Sequence, residues 1–271
     1  MTTKTNFWVR FLGLEAGYGE GFILSELCGT IRPGTLTALI GPNGSGKTTL
    51  MRVFSGLLPY SGKLTLGERE LSKIPRRELG RVVGVVPQQT RMNAPFTVYE
   101  VVTLGRLPHQ GTSDEDDGFV LKAVARMELE RLLFRDVTRL SGGEAQRVSV
   151  AAALAQDPPV MLLDEPASAL DPRHTTRLFS LLRELAAEGK TVVATAHDVN
   201  LAAAFADFIL AMKGGKILFD APAKELNEAV LERVYDTPFE PYISVAGKRA
   251  WHATLSSTRV CPVKPPIARN K

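Results

Sequence analysis

Thr35-Leu36-Thr37-Ala38-Leu39-Ile40 is followed by Gly41-Pro42-Asn43-Gly44-Ser45-Gly46-Lys47-Thr48, then by Thr49-Leu50-Met51-Arg52-Val53-Phe54. The first six residues read as a short apolar strand with β-branched positions. The eight that follow fit the spacing G-x-x-x-x-G-K-[ST]. After them Leu50, Val53, Phe54, Leu57 and Leu58 recur at helical spacing, so a helix is expected to run to about Leu58, where Pro59 stops it. Glycines in such a loop let backbone N–H groups turn inward without Cβ clashes. Those N–H groups and the positive end of the following helix form an anion cradle.

The loop predicts a phosphate chain as ligand, held by Gly41, Pro42, Asn43, Gly44, Ser45 and Gly46. Lys47 reaches the β- and γ-phosphates, the Thr48 hydroxyl ligates Mg²⁺, and Thr49 adds an α-phosphate contact. The loop does not choose among kinases, GTPases, helicases and transporters. A second element narrows the chemistry. Val160-Met161-Leu162-Leu163 is an apolar strand that delivers Asp164 and Glu165 at its C-terminal end, the edge where open α/β sheets bind ligands. Asp164 is placed to hold Mg²⁺, and Glu165 to act as general base toward a water.

Working outward, Phe7–Leu14 and Phe22–Ile31 read as strands joined by a turn holding Gly17, Gly19 and Gly21. Lys63–Leu66 and Arg81–Val86 read as further strands. From Gln88 to Gln156 the texture turns helical, with Thr97–Leu104 opening it and Val120, Val124 and Met127 on one face of Asp117–Leu133. Thr175–Glu188 is an amphipathic helix, Thr191–Ala196 a buried strand, and Phe208–Met212 with Lys216–Phe219 a hairpin across Lys213-Gly214-Gly215. Strands alternating with helices predict a mainly parallel sheet.

Leu140-Ser141-Gly142-Gly143-Glu144-Ala145-Gln146-Arg147 resembles the signature motif of the ABC ATPase family. Val148, Ala151, Ala152 and Ala155 continue it as a helix whose N-terminus is an anion site. The resemblance spans residues 5 to 240. It implies an α/β fold: a P-loop NTPase (RecA-like) core with an N-terminal antiparallel β subdomain and an inserted α-helical subdomain, approximately residues 89–157. It implies one ABC ATPase domain over 1–240 and a C-terminal extension over 241–271, with the Pro-rich tail after 255 poorly ordered.

The resemblance also assigns roles. Ser141, Gly142 and Gly143 would bind the γ-phosphate of ATP held by a second copy of the chain, so that each site is completed by the partner. Tyr18 resembles the aromatic that stacks on adenine. Gln88 resembles the residue that touches Mg²⁺ and the water, with Gln89 competing for the place. Asp171, in Ser168-Ala169-Leu170-Asp171, resembles the loop that crosses the dimer interface. His197 resembles the switch histidine that contacts the γ-phosphate and orients Glu165.

Val86-Pro87-Gln88, Thr97 to Arg106, and Pro108-His109 together are similar to the iron–siderophore, haem and cobalamin importer ATPases. That similarity implies an ATP- and Mg²⁺-using subunit that powers uptake of a metal chelate through a separate membrane permease. A substrate-binding protein would act indirectly, and the subunit would sit peripherally on the cytoplasmic face of the inner membrane. The alternatives are a zinc, manganese or molybdate importer, an exporter with separate membrane subunits, or a soluble ABC ATPase outside transport.

Composition is consistent with these readings. The 271 residues suffice for one large α/β domain, and the formal charge of +4 is a mild basic excess. Basic residues at Arg69, Lys73, Arg76, Arg77 and Arg81 lack interleaved aromatics, so nucleic acid is not an expected partner. The acidic run Asp114–Asp117 reads as a solvated loop face. Two cysteines, Cys28 and Cys261, form no metal spacing or disulfide framework, and Cys28 reads as a buried small residue. His109 reads as a loop residue, His174 as a helix-surface residue, and His252 carries no signal. No window approaches the roughly 18 apolar residues of a spanning helix, and Met1–Arg10 lacks the apolar run of a signal peptide.

Overall fold

A computed structural model describes residues 7–19, 21–88, 94–109, 114–243 and 249–254. Strands β1 (Val9–Tyr18), β2 (Gly21–Ile31), β4 (Ser61–Leu66) and β5 (Arg69–Glu70) form an antiparallel sheet in the order β2-β1-β4-β5. A second sheet has the order β10-β9-β3-β8-β7-β6, built from β3 (Leu36–Ile40), β6 (Val83–Val86), β7 (Val160–Leu163), β8 (Thr191–Thr195), β9 (Phe208–Lys213) and β10 (Lys216–Pro222). It is parallel from β9 through β6, with β10 antiparallel at the edge.

Every residue of β3, β7 and β8 is buried, as expected of parallel strands covered on both faces. On one face pack α1 (Lys47–Phe54) and the antiparallel sheet, where Phe11 meets Phe54 at 5.3 Å between ring centroids. On the other pack α5 (Gly142–Ala155), α6 (Pro172–Ala187) and α7 (Val199–Phe205). Helix α6 lays Leu178, Leu181, Leu182 and Leu185 into this core, the stripe its periodicity predicts. Helix α3 (Val98–Leu104) packs with α4 (Asp114–Arg126) on α5, and Val120, Val124 and Met127 are all buried there. Helix α2 (Arg76–Val82) precedes β6. Helix α8 (Glu228–Tyr235) is followed by a hairpin of β11 (Phe239–Ile243) and β12 (Arg249–Ala253).

Several expectations change. Helix α1 ends at Phe54, not near Leu58, because Gly56 turns at φ +69° and the Gly56 and Leu57 amides donate back to the Val53 and Arg52 carbonyls. Arg81 and Val82 close α2 instead of opening a strand; Pro75 fixes the helix start and β6 begins at Val83. Tyr18 ends β1, paired with Gly21, so the turn is shorter than the glycine pattern suggested. Cys28 is exposed, not buried. Leu24 and Leu27 both face inward, which a bulge around Glu26 (φ +51°) permits, and beyond it Cys28 points outward. Asp116 is no loop residue: it lies on α4, buried, and pairs with the buried Arg106 at 2.7 Å. Gln89, Cys261 and the tail after 255 lie outside the described residues.

Candidate active site

Strand β3 ends at Ile40 and the chain turns through Gly41 to Gly46 before α1 begins at Lys47. Gly41 has φ +144°, and a Cβ there would lie 2.1 Å from the Met212 carbonyl oxygen. Gly46, the N-cap at φ +100°, would press a Cβ to 2.7 Å from the Leu24 side chain. Only glycine satisfies both positions. The Lys47 ammonium donates to Gly41 O at 2.8 Å and Pro42 O at 3.0 Å, and Thr48 and Thr49 follow on the first turn. Burial holds the Lys47 pKa below its ordinary value, and the carboxylates of Glu165 and Asp164 oppose that shift. Ser45 Oγ is buried and makes no hydrogen bond among the described residues. A polar atom so placed in a glycine loop suits a phosphate oxygen.

Strand β7 delivers Asp164 and Glu165 to the same edge. Glu165 sits at φ +48°, a conformation rare for a residue with a side chain. Its carboxylate is bracketed: Gln88 Nε2 donates to Oε2 at 2.7 Å, and His197 Nε2 lies 2.6 Å from Oε1. Gln88 follows β6 and His197 follows β8, so three neighbouring parallel strands converge their C-terminal ends on one carboxylate. A cleft of about 360 Å³ opens beside it, lined by Thr48, Gln88 and Asp164 together with Arg52 and Pro87.

Behind these groups stands Thr195, 1 % exposed. Its hydroxyl donates to Asp164 Oδ1 at 2.9 Å and accepts the Glu165 amide at 2.5 Å. No motif in the sequence marks it. Its one signal was a polar side chain near the end of the otherwise apolar run Val192-Val193-Ala194. Tyr18 is half exposed; Arg52 donates to its hydroxyl at 2.8 Å and stands 5.8 Å from its ring centroid.

Ser141, Gly142, Gly143 and Asp171 form a second cluster. Ser141 caps α5 in a reciprocal box: its hydroxyl accepts the Glu144 amide, and the Glu144 carboxylate accepts from the Ser141 amide at 2.8 Å. Gly142 and Gly143 lie against Ala169, so the turn abuts the loop that ends in Asp171. Asp171 caps α6 by accepting the His174 amide. Among the described residues no hydrogen bond or ion pair joins this cluster to the Gly41–Thr49 loop. His109 is not a free loop residue either, since its Nε2 contacts Gln156 O at 2.8 Å.

A glycine loop at the C-terminal edge of a parallel sheet, faced by a carboxylate pair, defines the P-loop class of nucleotide-hydrolysing proteins. Within that class the chain belongs to the ABC transporter family, whose profile matches residues 24–168. It is therefore an ATP-binding, ATP-hydrolysing subunit. It is 37 % identical to the petrobactin import ATP-binding protein of Bacillus subtilis, over 84 % of this chain and 92 % of that protein. It is 39 % identical to the hemin import ATP-binding protein of Streptomyces coelicolor, over 85 % of this chain and 84 % of that protein. Among solved structures, one described as a metal-chelate type ABC transporter, inward-facing, superposes with a TM-score of 0.79 and 25 % identity, covering 93 % of this chain and 98 % of that one. No helix among the described residues is long and apolar enough to cross a membrane.

Proposed function

We propose that this chain is the ATPase of an importer for a metal chelate of the iron–siderophore, haem or cobalamin class. It would work as a dimer beneath a separate permease, on the cytoplasmic membrane face. The observation that carries the hydrolytic part is the bracketing of Glu165 by Gln88 and His197 beside Thr48 and Asp164. The import-protein relatives support the chelate class.

Site geometry and family resemblance together support these roles. The loop amides and Lys47 bind the phosphates of ATP. Tyr18 offers its ring to the adenine. Glu165 takes the proton of a water that adds to the γ-phosphorus while the ADP oxygen leaves. Gln88 and His197 fix the carboxylate's direction. The residues present fit Mg²⁺: the Thr48 hydroxyl and an Asp164 oxygen share one cleft with Gln88, and no fuller protein cage exists among the described residues. Such a partial oxygen set is what Mg²⁺ takes when phosphates complete its shell. Bound there, the ion would neutralise charge developing on the phosphates.

The separate Ser141–Gly143 cluster supports a composite site. Among the described residues no bond joins its helix N-terminus to the phosphate loop of its own chain, and a second copy facing it head to tail would bring one. The test is transport in proteoliposomes of the chain with its permease, using labelled ferric siderophore, haem and cobalamin. ATP-dependent accumulation of one of them supports the reading, and accumulation of free zinc, manganese or molybdate alone rejects it.

A further inference from the structure

Two hydrogen-bonded ties leave the active site for the same distant piece of chain. At one, the Gly41 amide donates to the Tyr235 hydroxyl at 3.1 Å, across 194 positions of sequence. This fixes the nitrogen side of Gly41 while Lys47 holds its carbonyl. At the other, Asn200 Nδ2 donates to Trp251 O at 2.9 Å and Asn200 Oδ1 accepts from Trp251 N at 2.8 Å. One side-chain amide thus satisfies both backbone groups of one residue, as a neighbouring strand would. Asn200 stands on the first turn of α7, capped by Asp198, immediately after His197.

Tyr235 closes α8, and Trp251 lies in β12. The two are parts of one unit. Glu228, at the start of α8, accepts from Trp251 Nε1 at 3.3 Å and from the Arg249 guanidinium. Tyr235 packs on Phe239 of β11 with centroids 5.7 Å apart. At the far end of α8 the Lys213 ammonium donates to Arg233 O at 2.9 Å and pairs with Asp236. Lys213 follows Met212, whose carbonyl oxygen faces Gly41. Trp251 is 4 % exposed, so the hairpin is anchored in the main core. Burial pushes the Tyr235 hydroxyl up to about 12, so it stays a neutral acceptor throughout the working range.

We propose that α8 with the β11–β12 hairpin is a brace that sets the phosphate loop and the His197 turn in fixed relation, with Tyr235 and Asn200 as its positioning residues. The inference rests on the reading of Gly41–Thr49 as the ATP phosphate site. The brace acts on two different quantities. Tyr235 governs the loop that holds ATP, so it governs the KM for ATP. Asn200 governs the approach of His197 to Glu165, so it governs kcat.

The test is steady-state ATP hydrolysis by full-length Tyr235→Phe and Asn200→Ala chains, with kcat taken per ATP-binding site titrated by calorimetry. Tyr235→Phe keeps the ring and removes only the acceptor. Its KM should rise about threefold to tenfold, the range one hydrogen bond carries, with kcat within twofold. Asn200→Ala should lower kcat by about the same factor with KM within twofold. In amide exchange followed by NMR, Gly41 should exchange faster in Tyr235→Phe alone. Constants within twofold of the unaltered chain in either variant overturn the brace, whatever happens to melting temperature. Lys47→Ala run alongside separates the two levels: if it binds ATP undiminished, the phosphate-site reading itself has failed. If it loses ATP while both brace variants stay normal, only the brace has failed.

Discussion

The hydroxyl of Thr195 donates to Asp164 at 2.9 Å and accepts the amide of Glu165, so one buried atom on β8 holds two consecutive acidic residues at the end of β7. Both groups lose their partner in Thr195→Val, a change that preserves shape. Leaving buried polar groups unpaired costs about 1–3 kcal/mol each. The variant should unfold at lower urea and hydrolyse ATP several-fold more slowly, while calorimetry finds ATP binding little changed. Unchanged kcat would show that Asp164 and Glu165 orient themselves.

Glu165→Gln keeps the side chain's shape and its contact with Gln88 but removes the base. Loss of a positioned general base lowers kcat by about 10²–10⁴-fold. ATP binding should persist, and light scattering should find a nucleotide-dependent dimer that no longer dissociates. Normal turnover would point to another base.

Ser141→Arg fills the turn between α5 and the Ser168–Asp171 loop with a long cation. Where an anion-stabilising donor set is blocked, hydrolysis falls about 10²–10³-fold. Binding of ATP to the monomer should stay as it is, since among the described residues no bond joins Ser141 to the Gly41–Thr49 loop of its own chain. Full activity in this variant would refute a site shared between two copies.

The Ser141 box also carries a pH signature. Hydrogen bonds from the Ser141 amide and hydroxyl hold the Glu144 carboxyl below its ordinary value of 4.5. A lowered acid pKa contributes stability that is fully present above 4.5 and is lost as pH falls through the depressed value. Glu144→Gln keeps an acceptor oxygen and loses this linkage. Its urea midpoint at pH 7 should drop by the equivalent of about 0.3–1 kcal/mol, the usual worth of a negative charge in a helix's first turn. The gap from the unaltered chain should close as the pH is taken below 4.5.

The residues legible in the sequence are those whose chemistry is local. Gly41 to Thr49 must be contiguous because one turn has to wrap one phosphate chain, and Ser141 with Glu144 must be three apart to close a helix end. Gln88, Asp164 and His197 are legible through family resemblance and the strands that carry them. Thr195, Tyr235 and Asn200 act through partners 31, 194 and 51 positions away, and no spacing rule reaches so far. The misread elements have the same origin. Val82 belongs to an apolar run that continues into β6, yet Pro75 starts a helix that claims it. Leu24 and Leu27 break the two-residue period of β2, and past that break Cys28 faces outward, although a free cysteine is by type a small buried residue. Asp116 looks like a solvent charge in the sequence because its partner, Arg106, sits ten residues earlier in the turn after α3.

Glu165 sits at φ +48°, where an ordinary side chain is disfavoured by roughly 1 kcal/mol or more relative to glycine. The acid is therefore retained against the preference of its own backbone. A library varied at this position and screened only for heat tolerance should drift toward glycine or asparagine, and every survivor of that drift would be a sturdier protein that no longer turns over ATP. Endurance and turnover are opposing demands at this residue, and a screen that omits turnover will discard the base first.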